Sequence, residues 1–306
     1  MTPRSFAVAG VVCIALGAST ARAQTRGVYP LGMSATGSGI VAEPGLSYSN
    51  MFLLYSRDKA VGADGEVTAI GQNSVLMDMN TLSWVSEKRV FGSAKFSMAA
   101  TLPIANNSLS SDVTGPISGG GGFADSFYQP AIFGWHFERA DIKAAYGFLA
   151  PTGSFDAEAN DNVGSGYWTH VILSGQTFFP TKSKRTAISA FQMYELHGSQ
   201  SGTGLRPGDT INLDFSVLHT LPERGATRVQ VGVVGYAARQ TSAKKGPTVT
   251  VADAATRYHV NALGVASIVA LTENRVTLGF KYFDELANES TFEGYSFQIS
   301  VAVDLN

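Results

Sequence analysis

The sequence predicts an all-β chain folded as an up-and-down antiparallel transmembrane β-barrel of about twelve strands. Three observations predict it. Apolar and polar residues alternate through segment after segment, as where Ile211, Leu213, Phe215 and Val217 oppose Thr210, Asn212, Asp214 and Ser216, which is the period of a two-faced strand. The breaks between segments alternate short and long, the asymmetry of barrels whose turns face one side of a membrane and whose loops face the other. Charged residues make up only 15% of the chain and glycine reaches 33 residues, whereas ordinary soluble domains carry about 25% charged residues.

The chain begins with an exported leader. Met1–Arg4 is basic, Phe6–Leu16 is apolar and uncharged, and Ala21-Arg22-Ala23 is a small-residue cleavage site, so residues 1–23 read as a Sec-type signal peptide cleaved near Ala23. The one cysteine, Cys13, lies inside it, and Val11 and Val12 before it do not fit a lipoprotein signal. The mature chain then has no thiol for disulfides or thiolate metal sites. Without Arg4 and Arg22 it carries 20 basic against 24 acidic residues, a net charge of −4. No basic cluster exceeds 182–185, so nucleic acid is not an expected partner. After the leader no apolar run reaches the roughly 18 residues a membrane helix needs. Residues 24–44 are expected as a periplasmic N-terminal segment and 45–306 as a single barrel in the bacterial outer membrane.

The predicted strands run over 45–57, 71–85, 88–102, 125–138, 140–150, 166–179, 185–197, 209–220, 226–240, 256–271, 274–284 and 292–305. Short connections at 86–87, 139, 180–184, 221–225 and 272–273 fall on the periplasmic side if both ends of the mature chain lie there. Longer pieces at 58–70, 103–124, 151–165, 198–208, 241–255 and 285–291 fall outside. An even strand count fits the same architecture. A soluble sandwich would use strands of about 5–6 residues, half the length seen. Trp84, Trp135, Trp168, Phe178 and Phe179 sit near strand ends, where membrane girdles gather aromatics. The last segment, with Tyr295, Phe297, Ile299, Val301, Val303 and Leu305 on one face, is similar to the terminal strand read by barrel assembly machinery. It ends in Leu305-Asn306 where Phe or Trp is usual.

Alternation also assigns an interior. With lipid on the apolar face, the lumen is expected to be lined by Lys95, His136, Lys143, His170, Gln176, Glu195, Asn212, Asp214, Arg228, Gln230, Asn261, Lys281 and Gln298, together with Asp78, Ser174, His259 and Asp304. Lys or Arg on the lipid face would cost about 2–4 kcal/mol at the midplane. Acids and bases are interspersed, unlike the basic lining expected of an anionic-sugar porin. A mixed lining fits either a path for a neutral solute or internal ion pairs that fill a narrow barrel. Twelve strands stand between the filled eight-stranded case and the open sixteen-stranded one.

A resemblance adds to this reading. Gly45-Leu-Ser-Tyr-Ser-Asn-Met-Phe-Leu-Leu-Tyr-Ser56, Gln129-Pro130, Gly134-Trp135-His136, Gly147-Phe-Leu-Ala-Pro-Thr-Gly-Ser-Phe-Asp156, Asn162-Val-Gly-Ser-Gly-Tyr-Trp-Thr169 and Gly232-Val-Val-Gly-Tyr-Ala-Ala-Arg-Gln-Thr241 resemble the outer-membrane family named for meta-pathway phenol degradation. The resemblance implies a twelve-stranded barrel and a channel or transporter for small, mostly aromatic or hydrophobic molecules. Physically, Pro151, Thr152 and Gly153 read as a strand stop and outer-loop corner running on to Asp156, since proline lacks a ladder donor and glycine permits a turn.

Catalysis has little support. His197 and Ser199 lie two residues apart, roughly 7 Å along a strand, beyond the ~3 Å that proton transfer needs. His170 and Ser174 are farther apart still. Asp156, Glu158, Asp161 and Asn162 offer oxygen ligands without an EF-hand spacing, and Gly119–Gly122 lacks the Gly-Lys-Ser/Thr of a phosphate loop. The expectation is therefore a non-enzymatic passive channel for a small organic solute, with no cofactor and no metal, set in outer-membrane lipid. The outer loops 103–124 and 151–165 would gate it. The alternatives are a sealed structural barrel acting through its outer loops, and an outer-membrane lipid hydrolase.

Overall fold

The computed structural model describes residues 26–222 and 225–305, so the expected signal peptide lies outside the described residues. Thirteen strands follow in order: β1 Gly45–Val61, β2 Val67–Val90, β3 Ala94–Ser111, β4 Gly115–Phe123, β5 Ser126–His136, β6 Ala140–Ala150, β7 Thr169–Phe178, β8 Thr186–His197, β9 Thr210–Thr220, β10 Thr227–Gln240, β11 His259–Leu271, β12 Val276–Glu285 and β13 Thr291–Asp304. A five-residue helix, α1 Val251–Ala255, is capped by Thr250 in the loop after β10. Each wall strand pairs antiparallel with its neighbour, and β13 returns to β1 from Ser47↔Asp304 to Val61↔Thr291. Twelve strands form the closed wall. The thirteenth, β4, pairs with the upper half of β3 alone.

Alternation builds these strands as expected. In β9, Thr210, Asn212, Asp214, Ser216, Leu218 and Thr220 are buried, and the residues between them are not. Outward positions carry Leu82, Leu102, Ile172, Val233, Leu263 and Val265, each 50–62% exposed, a surface that lipid must cover. At one end the connections 91–93, 137–139, 179–185, 221–226 and 272–275 are short, and both chain ends of the barrel lie there. At the other end lie 62–66, the β3–β4 hairpin, 151–168, 198–209, 241–258 and 286–290. The short-turn end is the periplasmic one by the usual asymmetry.

Three boundaries move. The turn expected at 86–87 falls at 91–93, because Phe91 and Gly92 take positive φ (47° and 81°) while β2 continues through an irregular register between Val85 and Arg89. The loop expected at 58–70 shrinks to 62–66 because β1 and β2 pair on to Val61↔Val67. The loop expected at 103–124 is mostly the β3–β4 hairpin. Pro103 sits where β3 changes partner, after its last β5 pair at Thr101 and before its first β4 pair at Ile104, a place where a missing N–H costs nothing. The glycines of β4 serve close packing. A Cβ on Gly120 would stand 1.8 Å from the carbonyl oxygen of Asp161, so the loop after β6 lies directly on the hairpin. Of the expected girdle aromatics, Trp84, Trp168 and Phe178 are exposed, and Phe179 is instead buried, with the Lys184 ammonium 5.0 Å above its ring.

The largest departure concerns residues 26–44. Expected outside the barrel, they run through it. Arg26 meets Glu285 and Thr291 near the long-loop end, and Glu43 meets Lys95 near the short-turn end. Turns at Pro30–Met33, Gly32–Ala35 and Gly37–Ile40 fold the segment compactly. Tyr29, Leu31 and Ala35 join Phe191, Met193, Leu218, Val234, Tyr236 and Phe283 in one hydrophobic cluster. The core of this protein is the inside of its barrel.

Candidate solute path through the lumen

The segment inside the barrel brings backbone donors and acceptors into a water-poor interior, and each needs a partner. The wall supplies them by charge sign. Glu195 accepts from the N–H groups of Val28 (2.9 Å) and Tyr29 (3.0 Å). Asp214 accepts from Gly32 N–H (3.0 Å), Ser34 N–H (3.1 Å) and the Tyr29 hydroxyl (2.5 Å). The Lys281 ammonium donates to the carbonyls of Gly32 (2.8 Å) and Met33 (2.6 Å), and Gln298 Nε2 donates to Leu31 (2.9 Å). Lys95 donates to Ala42 (3.0 Å) and pairs with Glu43 (3.0 Å). Asn212 donates to Glu195 at 2.8 Å. The mixed charge of the lumen is thus matched to a mixed row of peptide groups.

The segment leans on β7–β12 and leaves space beside β1–β5. A chamber of about 590 Å³ lies in the upper lumen, bordered by the 26–33 stretch, β1–β3, Phe127 and the loop after β6. A smaller one of about 200 Å³ lies beside Ser49, Met51, Thr81 and Gln129. Both touch Met33, Met79, Thr101 and Phe127, which stand between them as the throat of a path that would join the two. The upper chamber is mainly apolar, with Val75, Met77, Leu109, Leu149, Phe155 and Tyr258 in its lining. Its charged lining residues are Arg26, Arg57 and Asp125, with Arg57 beside the Arg26–Glu285 pair (2.7 Å) and 3.5 Å from the same carboxylate. The loop after β6 roofs it with Phe155, Ala159, Asn160 and Asn162, and the corner that starts this loop is tied to the stretch before β5. The Thr152 hydroxyl accepts from Ser126 N–H at 2.9 Å, and Gly153 N–H donates to Asp125 at 3.0 Å. A Cβ on Gly153 would stand 2.7 Å from Gly164. Asp156 Oδ1 accepts from Glu158 N–H at 2.9 Å, so this acid shapes its own loop, and Pro151 ends the β6 ladder.

The expected lining residues divide into three groups. Lys95, Glu195, Asn212, Asp214, Lys281 and Gln298 point inward and hold the internal segment or each other, and of all the expected lining residues only Asn212 borders a chamber. Lys143, Arg228 and Gln230 occupy inward positions toward the short-turn end. His136 reaches that mouth with Nδ1 2.5 Å from Asp141. The third group is a correction. His170, Gln176 and Asn261 face outward, as do Ser174, Asp78 and His259. In β7 the buried residues are Thr169, Val171, Leu173, Gly175 and Thr177, because that face packs on the internal segment; the Cβ of a residue at 175 would lie 2.0 Å from Ser38 O. Polarity alone therefore does not assign the side: β7 turns Val171 and Leu173 inward onto the segment and His170, Ser174 and Gln176 outward.

Sequence reading missed Arg57, Glu285, Met33, Met79 and Phe127. Arg57 and Glu285 were placed at a strand end and in a loop, yet alternation carried two residues on from Tyr55 and from Phe283 would have found them. Nothing in the sequence brings Met33 to the throat. The hydrolase alternative finds His170 outward, accepting or donating at 2.8 Å with the Tyr146 hydroxyl. His197 lies between Thr169 (2.9 Å) and Glu195 (3.3 Å), all three at most 3% exposed, so no substrate reaches that row.

Comparison with known proteins matches these features. The family model described as "Putative MetA-pathway of phenol degradation" covers residues 57–301. The fold is similar to the crystal structure of the COG4313 outer membrane channel from Pseudomonas putida F1, with a TM-score of 0.71 at 13% identity over 87% of this chain and 98% of that one. It is also similar to the β domain of the Bordetella autotransporter BrkA, with a TM-score of 0.52 at 11% identity over 86% and 100%. No curated protein matches in sequence. The chain belongs to the phenol-degradation family matched over residues 57–301 and is a twelve-stranded β-barrel of the bacterial outer membrane.

Proposed function

We propose that the protein is a passive outer-membrane channel for small organic solutes with apolar, ring-sized bodies. The observation that carries this is the pair of chambers sharing Met33, Met79, Thr101 and Phe127 at the throat, beside a segment that fills the other half of the lumen. Thioether and aromatic side chains adapt to apolar solutes, and a chamber of this size lies within the range of small-molecule sites, about 300–1,000 Å³. The β3–β4 hairpin and the loop 151–165 form its outer gate. The channel role of the Pseudomonas relative and the phenol-pathway description of the family support the same reading.

The test is solute flux in liposomes loaded with the purified barrel, comparing phenol or benzyl alcohol with a sugar of similar mass. Faster entry of the aromatic is expected. Absence of flux for every solute across many insertions would instead favour the sealed barrel, a reading supported by the hydrogen bonds that seat the internal segment.

A further inference from the structure

Resting on the channel reading, we propose that the upper chamber selects solutes carrying a carboxylate on an apolar ring, with the Arg57 guanidinium as the head-group site. Arg57 is on the inward face of β1, 7% exposed, and borders the chamber. Its enclosed Nε stands 3.5 Å from Glu285 Oε1, and neither Nη donates a hydrogen bond among the described residues. The nearest carboxylate is already taken. Glu285 accepts two bonds from Arg26 (2.7 and 3.1 Å), one from the Tyr236 hydroxyl (3.1 Å) and one from Asn288 Nδ2 (3.0 Å). Two guanidinium groups therefore share one carboxylate, and Arg57 has no acid of its own within hydrogen-bond distance among the described residues. Asp125, the acid in the same chamber lining, forms no ion pair with it among the described residues; it accepts from Gly153 N–H (3.0 Å), Ser165 N–H (2.8 Å) and the Ser165 hydroxyl.

A buried guanidinium with unused donors is costly until an acceptor arrives, and a carboxylate matches its fork with two parallel bonds. A hydrocarbon would leave those donors unpaired. The site is also built to hold its orientation. The Arg57 guanidinium lies 4.3 Å over the Tyr55 ring, and the Tyr55 hydroxyl donates to Leu31 O at 3.0 Å, so the internal segment fixes the ring that fixes the arginine. Beyond Arg57 the lining turns to Val75, Met77, Met79 and Phe127, which suits the body of an aromatic acid.

The experiment measures binding of benzoate and of its neutral isostere benzamide to the full mature barrel in detergent by calorimetry, for the wild type and for Arg57→Met and Arg57→Lys. Benzoate is expected to bind about tenfold or more tighter than benzamide, the worth of a hydrogen bond to a charged group. Arg57→Met should bring the ratio to about one, with benzoate losing more affinity than benzamide, and Arg57→Lys should keep part of the preference. Heat-modifiable mobility checks that each variant is folded. A wild-type ratio near one, or a preference that survives Arg57→Met, overturns the proposal. Parallel liposome swelling separates the two readings. Benzamide flux without a benzoate preference keeps the channel and sinks the head-group site, whereas a benzoate preference without any flux sinks the channel.

Discussion

The β8–β9 wall and the β1–β2 wall distribute the same residue types in opposite directions. In β8 and β9, Glu195, Asn212, Asp214 and Ser216 point inward, while Ile188, Leu196, Ile211 and Leu213 point outward. In β1 and β2, Met51, Leu53, Tyr55, Met77 and Met79 point inward. Their outer face carries Tyr48, Asn50, Asp78 and Asn80, bonded together between Phe52, Leu76 and Leu82. The difference follows what each inner face meets. The first wall meets peptide groups of the internal segment and needs donors and acceptors. The second meets the two chambers and the Met33 side chain, and needs an apolar surface.

The sharpest way to break this comparison is to remove the segment. Deleting residues 26–40 should raise single-channel conductance several-fold in planar bilayers, because the polar wall then faces water and the lumen is unfilled. Unchanged conductance would mean that the segment does not occlude the barrel.

Next in size is Asp214→Ala. It strands the Tyr29 hydroxyl and the Gly32 N–H, while Ser34 N–H keeps the Tyr29 oxygen at 2.8 Å, at about 1–3 kcal/mol for each buried donor left unpaired. The segment should loosen, seen as longer open times and faster protease cleavage near residues 26–40. The counterpart on the other wall is Met79→Ala, which removes no hydrogen bond and should widen the throat. Aromatic flux should then rise by a smaller factor with protease resistance unchanged, and equal effects from the two variants would erase the distinction between the walls.

The smallest effect is expected outside. Asp78→Leu removes a carboxylate from the lipid-facing cluster and should stabilise the barrel by about 1 kcal/mol or less, since acids on that face cost less than Lys or Arg. Denaturant unfolding in lipid bilayers measures it. A marked loss of stability would show that something other than lipid covers this patch.

Much of the fold was legible because a strand is a local object. The predicted 140–150 coincides with β6, and 185–197 and 209–220 differ from β8 and β9 by one residue at the N-terminal end. The errors cluster where pairing, not propensity, decides. Asn106, Asn107 and Ser108 look like loop residues, yet they sit in a ladder because β2 and β4 lie on either side. The site was less legible. Lys281 and Asp214 were found as inward by alternation, but their partners are backbone atoms more than 180 residues away in sequence. Polarity points His170 and Gln176 inward, but β7 packs its Val171 and Leu173 face against the internal segment and turns them out.

By itself the sequence determined the wall strands, their number and which residues alternate along each, because period-2 alternation and turn chemistry act over neighbouring residues. Only the tertiary structure decided what fills the barrel. Residues 26–44 have no strand pattern and no motif, and their place in the lumen depends on Glu195, Asp214, Lys281 and Gln298 converging from four strands. That convergence turned a mixed-charge interior into a seat for the chain's own N-terminal segment. It left Arg57 facing the remaining space.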